Sequence, residues 1–166
     1  ISSDPLAPGS VYAASVDDQG KVGLYRLEVG CSPGTGKLRI AGGIDGIMKE
    51  SVQRAFAYLS AKKVRMGISQ QIDTTDFHVE AIDLLSNHVP CEAGVAFIVA
   101  VYSAIKKQSV LAGLVILGGL SIQGHIKSFR SLIEPLQVSM DNGARRALIP
   151  LENKRNFLEV SGDIIE

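Results

Sequence analysis

One stretch, Val89 to Lys107, constrains the fold of this chain more than any other. It opens with a tight lead-in, Val89-Pro90-Cys91-Glu92-Ala93-Gly94, and continues as the apolar run Val95-Ala-Phe-Ile-Val-Ala-Val-Tyr-Ser-Ala-Ile-Lys-Lys107. Phe97, Ile98, Val101 and Ile105 recur at helical spacing, and Ala96, Ala100 and Ala104 fill the sides between them. That pattern predicts a central core helix buried nearly all round. The small Ala93 and Gly94 let other backbone come close to its start.

A chain of 166 residues with 46% hydrophobic content supports one domain with a sizeable core. We place that domain at residues 11–166, after a linker-like stretch, 1–10, that holds Pro5, Pro8 and Gly9. Lys and Arg total 17 and Asp and Glu total 17, so bulk charge demands neither nucleic acid nor an anionic membrane. Two cysteines, Cys31 and Cys91, are too few for a disulfide framework and suit a reducing, cytoplasmic setting as free thiols. The most apolar run, Val110 to Leu120, is shorter than the roughly 20 residues of a membrane helix and reads as a buried strand. A start at Ile1 without a signal-peptide pattern suggests a piece of a longer protein.

In chain order, Val11 to Val16 and Val22 to Val29 predict a hairpin around Asp17-Asp18-Gln19-Gly20. Cys31 to Gly36 breaks the pattern, and Lys37 to Ile40 resumes an extended run, the start of a second hairpin. From Asp45 the period becomes helical, with Ile44, Ile47, Met48, Ala55, Phe56 and Leu59 inward and Lys49, Glu50, Gln53 and Arg54 outward. A polar connection follows, then a half-buried strand from Asp76 to Leu84. Beyond the central helix, Ala112 to Leu117 and Ser121 to Ile126 read as strands joined through Gly118-Gly119. Ser131 predicts a helix N-cap, Leu132, Leu136 and Met140 a helical stripe, and Gly143 a C-terminal cap. Arg146 to Ile149 is a short strand, Leu151 to Arg155 a polar helix or turn, and Phe157 to Val160 another extended piece. Together these make three main helices and about eight strands.

Little metal or phosphate chemistry shows in the motifs. Gly34-Thr-Gly-Lys37 looks like a phosphate loop, but the Walker pattern needs glycine where Cys31 stands and Ser or Thr where Leu38 stands, so a glycine turn is the better reading. His78, His88 and His125 lack close ligand spacing and neither cysteine has a nearby partner, so no metal site is predicted. The basic pairs at Lys62-Lys63, Lys106-Lys107, Arg145-Arg146 and Lys154-Arg155 lack interleaved aromatics and read as solvated surface. So do Ser103 and Lys106, one turn apart at the far end of the central helix.

Several of these segments carry a family resemblance. The string Gly36 to Ser51, ending in Met48-Lys-Glu-Ser51, resembles the start of the Lon protease proteolytic domain, and the interval from Asp76 to Gly94 keeps that family's spacing without a gap. Val22-Gly-Leu-Tyr-Arg-Leu-Glu28, Asp76-Phe-His-Val79, Leu136-Gln-Val-Ser-Met-Asp141 and Gly143-Ala-Arg-Arg-Ala-Leu-Ile-Pro150 resemble the BrxL group of Lon-related proteins from BREX phage-exclusion systems. The resemblance covers about Val11 to Val160 and implies an α+β fold of the ribosomal protein S5 domain 2-like kind, mixed sheets with packed helices.

The same alignment puts Glu92 at the family's nucleophilic serine, Cys91 at the preceding proline and Val89 at an aspartate. Leu117 stands for a threonine, Gly119 for a glutamate and Ile133 for the catalytic lysine. A serine–lysine hydrolase needs a hydroxyl nucleophile and a lysine whose neutral amine takes its proton, and Glu92 and Ile133 supply neither. The resemblance therefore implies a non-proteolytic domain that assembles a hexameric ring. An AAA+ ATPase module elsewhere in the protein would bind ATP and magnesium and act on DNA in phage defence. The competing reading is an ATP-dependent peptidase that uses Cys91 with His78, His88 or His125, since thiolate–imidazole chemistry needs only mutual reach. A third, peptide binding without cleavage, requires a groove beside Glu92.

Overall fold

The chain pairs its first two strands in register through a tight turn. In a computed structural model describing residues 1–42, 44, 46–129 and 131–150, β1 (Ser10–Val16) runs antiparallel to β2 (Val22–Pro33), with Val16 opposite Val22. Asp17 closes the turn: its Oδ1 accepts the N–H groups of Gln19 at 2.9 Å and Lys21 at 2.8 Å, and Gly20 takes a φ of 81°. That conformation favours glycine because an L side chain there crowds its own backbone.

The expected second hairpin does not form. β2 continues through Cys31 to Pro33 and pairs antiparallel with β4 (Thr75–Asp83), while β3 (Leu38–Ile40) lies on the far side of β4 and runs parallel to it. A parallel neighbour needs a crossover, which α1 (Gly46–Lys62) and the short α2 (Ser69–Asp73) provide. The polar composition between Lys63 and Asp73 hid α2, which is held by the buried Ile68 and Ile72. β5 (Leu114–Ile116) runs parallel to β1, and β8 (Arg146–Leu148) parallel to β5, completing a six-stranded mixed sheet of order β3-β4-β2-β1-β5-β8.

Strand alternation sorts the core onto the two faces of this sheet. Val11, Ala13, Leu27 and Val29 point to a core shared with α1 and α3 (Gly94–Lys106). Tyr12, Ala14, Leu24, Val115 and Leu117 point the other way, against Leu136 of α4 (Ile133–Asp141) and Leu132 just before it. The result is an α+β domain of three layers, mixed sheet in the middle.

Several expected faces are corrected. On α1 the buried positions are Met48, Ser51, Val52, Ala55 and Leu59; Ile47 is exposed, because only one helical stripe meets the sheet. Arg54 turns partly inward instead of outward. Helix α3 buries Ala96, Phe97, Ala100, Val101 and Ser103 but leaves Ile98, Val99 and Ile105 half-buried and Tyr102 exposed. It packs between sheet and α1 on one side, so it is not covered all round. Ser103 is no surface residue: its hydroxyl accepts the Gly9 N–H at 2.9 Å and donates to the Gln108 carbonyl, which ties the run before β1 to the end of α3.

Between Gly118 and Lys127 the chain forms no long strand. Gly119–Leu120 (β6) and Ile126–Lys127 (β7) make a small separate hairpin, and Ser121 to His125 is its turn. The N-cap of α4 is Leu132 and not Ser131, and no side chain caps it; Ser131, one residue earlier, accepts the Ile133 N–H at 3.3 Å, Pro135 fits the first turn, and Gly143 follows the helix with a φ of 104°. The expectations for Leu151 to Arg155 and Phe157 to Val160 lie outside the described residues.

Candidate functional site

The loop that carries Cys91 and Glu92 is fixed by side chains from three elements. Tyr25 on β2 donates its hydroxyl to the Val89 carbonyl at 2.6 Å, and Ser15 on β1 donates to the Pro90 carbonyl at 2.8 Å. Ser51 on α1, fully buried, donates to the Met48 carbonyl at 2.8 Å and accepts the Ala93 N–H at 3.0 Å. This gives the Ser of the Met48-Lys-Glu-Ser51 motif a specific task, satisfying a buried amide that the helix start leaves free. Gly94 then opens α3 so close to β6 that a Cβ there would stand 2.9 Å from the Leu120 Cβ.

Thus positioned, Glu92 reaches across to two cations. Its Oε1 lies 3.2 Å from Arg54 Nη1 of α1 and 3.3 Å from Lys127 Nζ of β7. The same Arg54 nitrogen donates to the Leu120 carbonyl at 3.5 Å. The other oxygen lies against Gly119, where a Cβ would come within 2.3 Å of Oε2. All three charged groups are between a quarter and a half exposed, so each pair contributes on the order of 0.5 kcal/mol. The arrangement holds an ion-paired carboxylate at the mouth of the loop.

Ile133 opens α4. As the first residue of α4 it is 47% exposed and lines an apolar recess of about 460 Å³ with Val22, Leu85 and Val138, on the α4 side of the sheet.

Cys91 and His88 line one recess of about 320 Å³, together with Ile44, Met48, Asp83 and Tyr25. Cys91 is 1% exposed, and burial pushes its thiol up to about 12, against a smaller opposing effect from a hydrogen bond with Ser15. The His88 side chain is 91% exposed, with Nδ1 3.9 Å from Asp83 Oδ2. His78 pairs with Ser32 Oγ at 3.1 Å on β4, and His125 sits in the β6–β7 turn. Among the described residues no hydrogen bond joins Cys91 to a histidine. A thiol reagent at pH 8 should therefore label the exposed Cys31 first and reach Cys91 only after denaturation. Two equally fast thiols in the native chain would contradict this placement.

The glycine turn at Gly34-Thr-Gly-Lys37 encloses an anion of the chain's own. The N–H groups of Thr35 and Lys37 both donate to Asp76 Oδ1 at 3.0 Å, which, with Arg39 nearby, holds the Asp76 carboxyl below its ordinary range. Residues that could gather a metal do not cluster among the described positions. No helix there is long and apolar enough to cross a membrane.

Arg54, Lys127, Ser51, Ser15 and Tyr25 were not recognisable as site residues from sequence. The available signal was Glu92 itself, since a carboxylate in a small, mostly apolar loop calls for counter-charge. Which cations supply it depends on how α1 and the β6–β7 hairpin are placed.

Sheet, loop, helix and hairpin together make a Lon-type proteolytic-domain scaffold with a carboxylate at the head of its central helix. The chain belongs to the Lon protease (S16) C-terminal proteolytic domain family, whose profile matches residues 12–166. It is 31% identical over 144 residues to a protein named Lon protease from Buchnera aphidicola subsp. Schizaphis graminum, covering 86% of this chain and 18% of that protein. It is 25% identical over 158 residues to "Lon-like protease BrxL" of Escherichia coli O9:H4 (strain HS), covering 95% and 23%. Against "Lon-like protease BrxL" of Bacillus cereus (strain H3081.97) the identity is 30% over 145 residues, covering 87% and 21%. The chain thus spans about a fifth of the length of the curated relatives it matches.

Proposed function

We propose that this is a non-proteolytic Lon-type domain that holds neighbouring subunits of an ATP-dependent AAA+ protein in a hexameric ring, acting on DNA in phage defence. The observation that carries the loss of proteolysis is the state of Glu92. At the position that the family resemblance assigns to the nucleophile stands a carboxylate, not a hydroxyl, and it is paired with Arg54 and Lys127. Ile133, at the lysine position, has no group that moves a proton. Losing nucleophile and base together removes the mechanism instead of slowing it. The BrxL-named relatives support the group to which the domain is assigned; the ring, DNA and phage-defence parts, with ATP and magnesium outside this domain, rest on the BrxL-like segments of the sequence alone.

The rival peptidase has one observation in its favour, that Cys91 and His88 line the same recess. Against it, a thiol pushed up to about 12 supplies almost no thiolate near neutrality. The full-length protein, assayed on peptide and casein substrates with and without ATP and DNA, is expected to cleave neither while turning over ATP in response to DNA. Cleavage abolished by Cys91→Ala would establish the rival.

A further inference from the structure

We infer that Glu92 is a clasp: its carboxylate fastens the β6–β7 hairpin to α1, and the hairpin is a strap that opens when this ion pair is released. Among the described residues the hairpin belongs to no larger sheet and has two residues in each strand. It leaves the main sheet through Gly118, whose φ of 139° makes it a natural hinge. Apolar anchoring is thin. Leu120 is buried, but Ile122 is 66% and Ile126 49% exposed.

The fastening is instead polar and close-fitting. Lys127 from the hairpin and Arg54 from α1 meet on one oxygen of Glu92, and Arg54 also holds the Leu120 carbonyl. Glycine at 119 leaves room for the carboxylate's other oxygen. At the tip, Gly124 packs close against Tyr58 of α1: a Cβ would stand 2.3 Å from the ring. A charge at position 92 is therefore what joins helix, loop and hairpin, and a short hydroxyl side chain there would not span both cations.

Beneath the closed strap lies the first turn of α3. The Gly118 carbonyl accepts the Val95 N–H at 3.4 Å, and Leu120 packs on Gly94. Opening would uncover that helix start together with Arg54. The device does not depend on whether the domain cleaves peptides, and its readout is separate from any activity assay.

Hydrogen–deuterium exchange of the full chain tests it. In Glu92→Gln the amides of residues 119–127 should exchange about fivefold faster, and in Lys127→Met about twofold faster, while β1 and β2 are unchanged. Raising salt from about 0.05 M to about 1 M should speed the hairpin of the wild type and leave Glu92→Gln unmoved. Hairpin exchange no faster than wild type in the variants, or equal salt acceleration in both, would overturn the clasp. Should Glu92→Gln fail to fold, Lys127→Met and the wild-type salt series still decide, because Lys127 stands on the exposed hairpin strand, outside the buried core.

Discussion

Replacing Phe97 by alanine is expected to lower the unfolding free energy by about 3–5 kcal/mol. Phe97 is fully buried on α3, where Phe56 of α1 meets it edge-on at a centroid distance of 6.4 Å. Phe56 in turn meets Phe77 of β4 at 5.9 Å. These rings, with Phe56 half-buried between two fully buried ones, tie the two helices to the sheet, and edge-to-face contact adds to their burial. Truncation leaves a cavity that rigid neighbours on three elements cannot close, which is why the cost sits at the upper end for core changes. Phe97→Leu, which keeps most of the volume, should cost roughly 1–2 kcal/mol. Urea unfolding with unchanged m measures both, and a cost below about 1.5 kcal/mol for alanine would show that α3 is not the pillar of this core.

Gly9→Ala should be nearly as damaging, at about 2–4 kcal/mol. Gly9 has a φ of 93°, and a Cβ there would sit 2.4 Å from the Val29 carbonyl oxygen, a backbone atom with nowhere to go. Its carbonyl accepts the Val29 N–H at 2.8 Å and its own N–H donates to Ser103 Oγ, so relief by movement breaks one bond or both. Gly20→Ala is the control: φ is 81° but nothing lies within 4 Å of its Cβ position, so only the backbone cost of about 1 kcal/mol applies. Equal costs at the two glycines would sink the close-approach account. The comparison also tests whether the run before β1 is part of the fold, as the Ser103 contact requires.

These two positions mark different degrees of legibility. Phe97 lay on a helical stripe and needed no structure to be assigned to the core. Gly9 looked like linker, because the contact that gives it a role joins residues 94 apart in sequence. Ser103 was misread for the same reason. Likewise Arg54 stood among polar neighbours on the outer side of α1 by periodicity, but a helix face is only as solvated as its surroundings allow, and the Glu92 loop arrives beside it. The second hairpin was wrongly expected because a short extended run pairs with whichever strand is adjacent; α1 and α2 form the crossover between β3 and β4, which run parallel to each other.

What the sequence determined alone was local and compositional: the β1–β2 hairpin through Asp17 and Gly20, the amphipathic α1, the apolar α3, the α4 stripe, and the presence of Glu92 and Ile133 at positions where the family resemblance sets serine and lysine. Each follows from periodicity, turn chemistry or a position-by-position match, all of which act over a few neighbouring residues. Tertiary structure alone decided what surrounds those positions. It brought Arg54 and Lys127 onto one carboxylate oxygen, set Gly119 against the other, buried Cys91 away from any histidine bond, and left Ile133 lining a recess on the α4 side of the sheet. Contacts of that kind depend on layer packing and strand order, which no short-range pattern specifies.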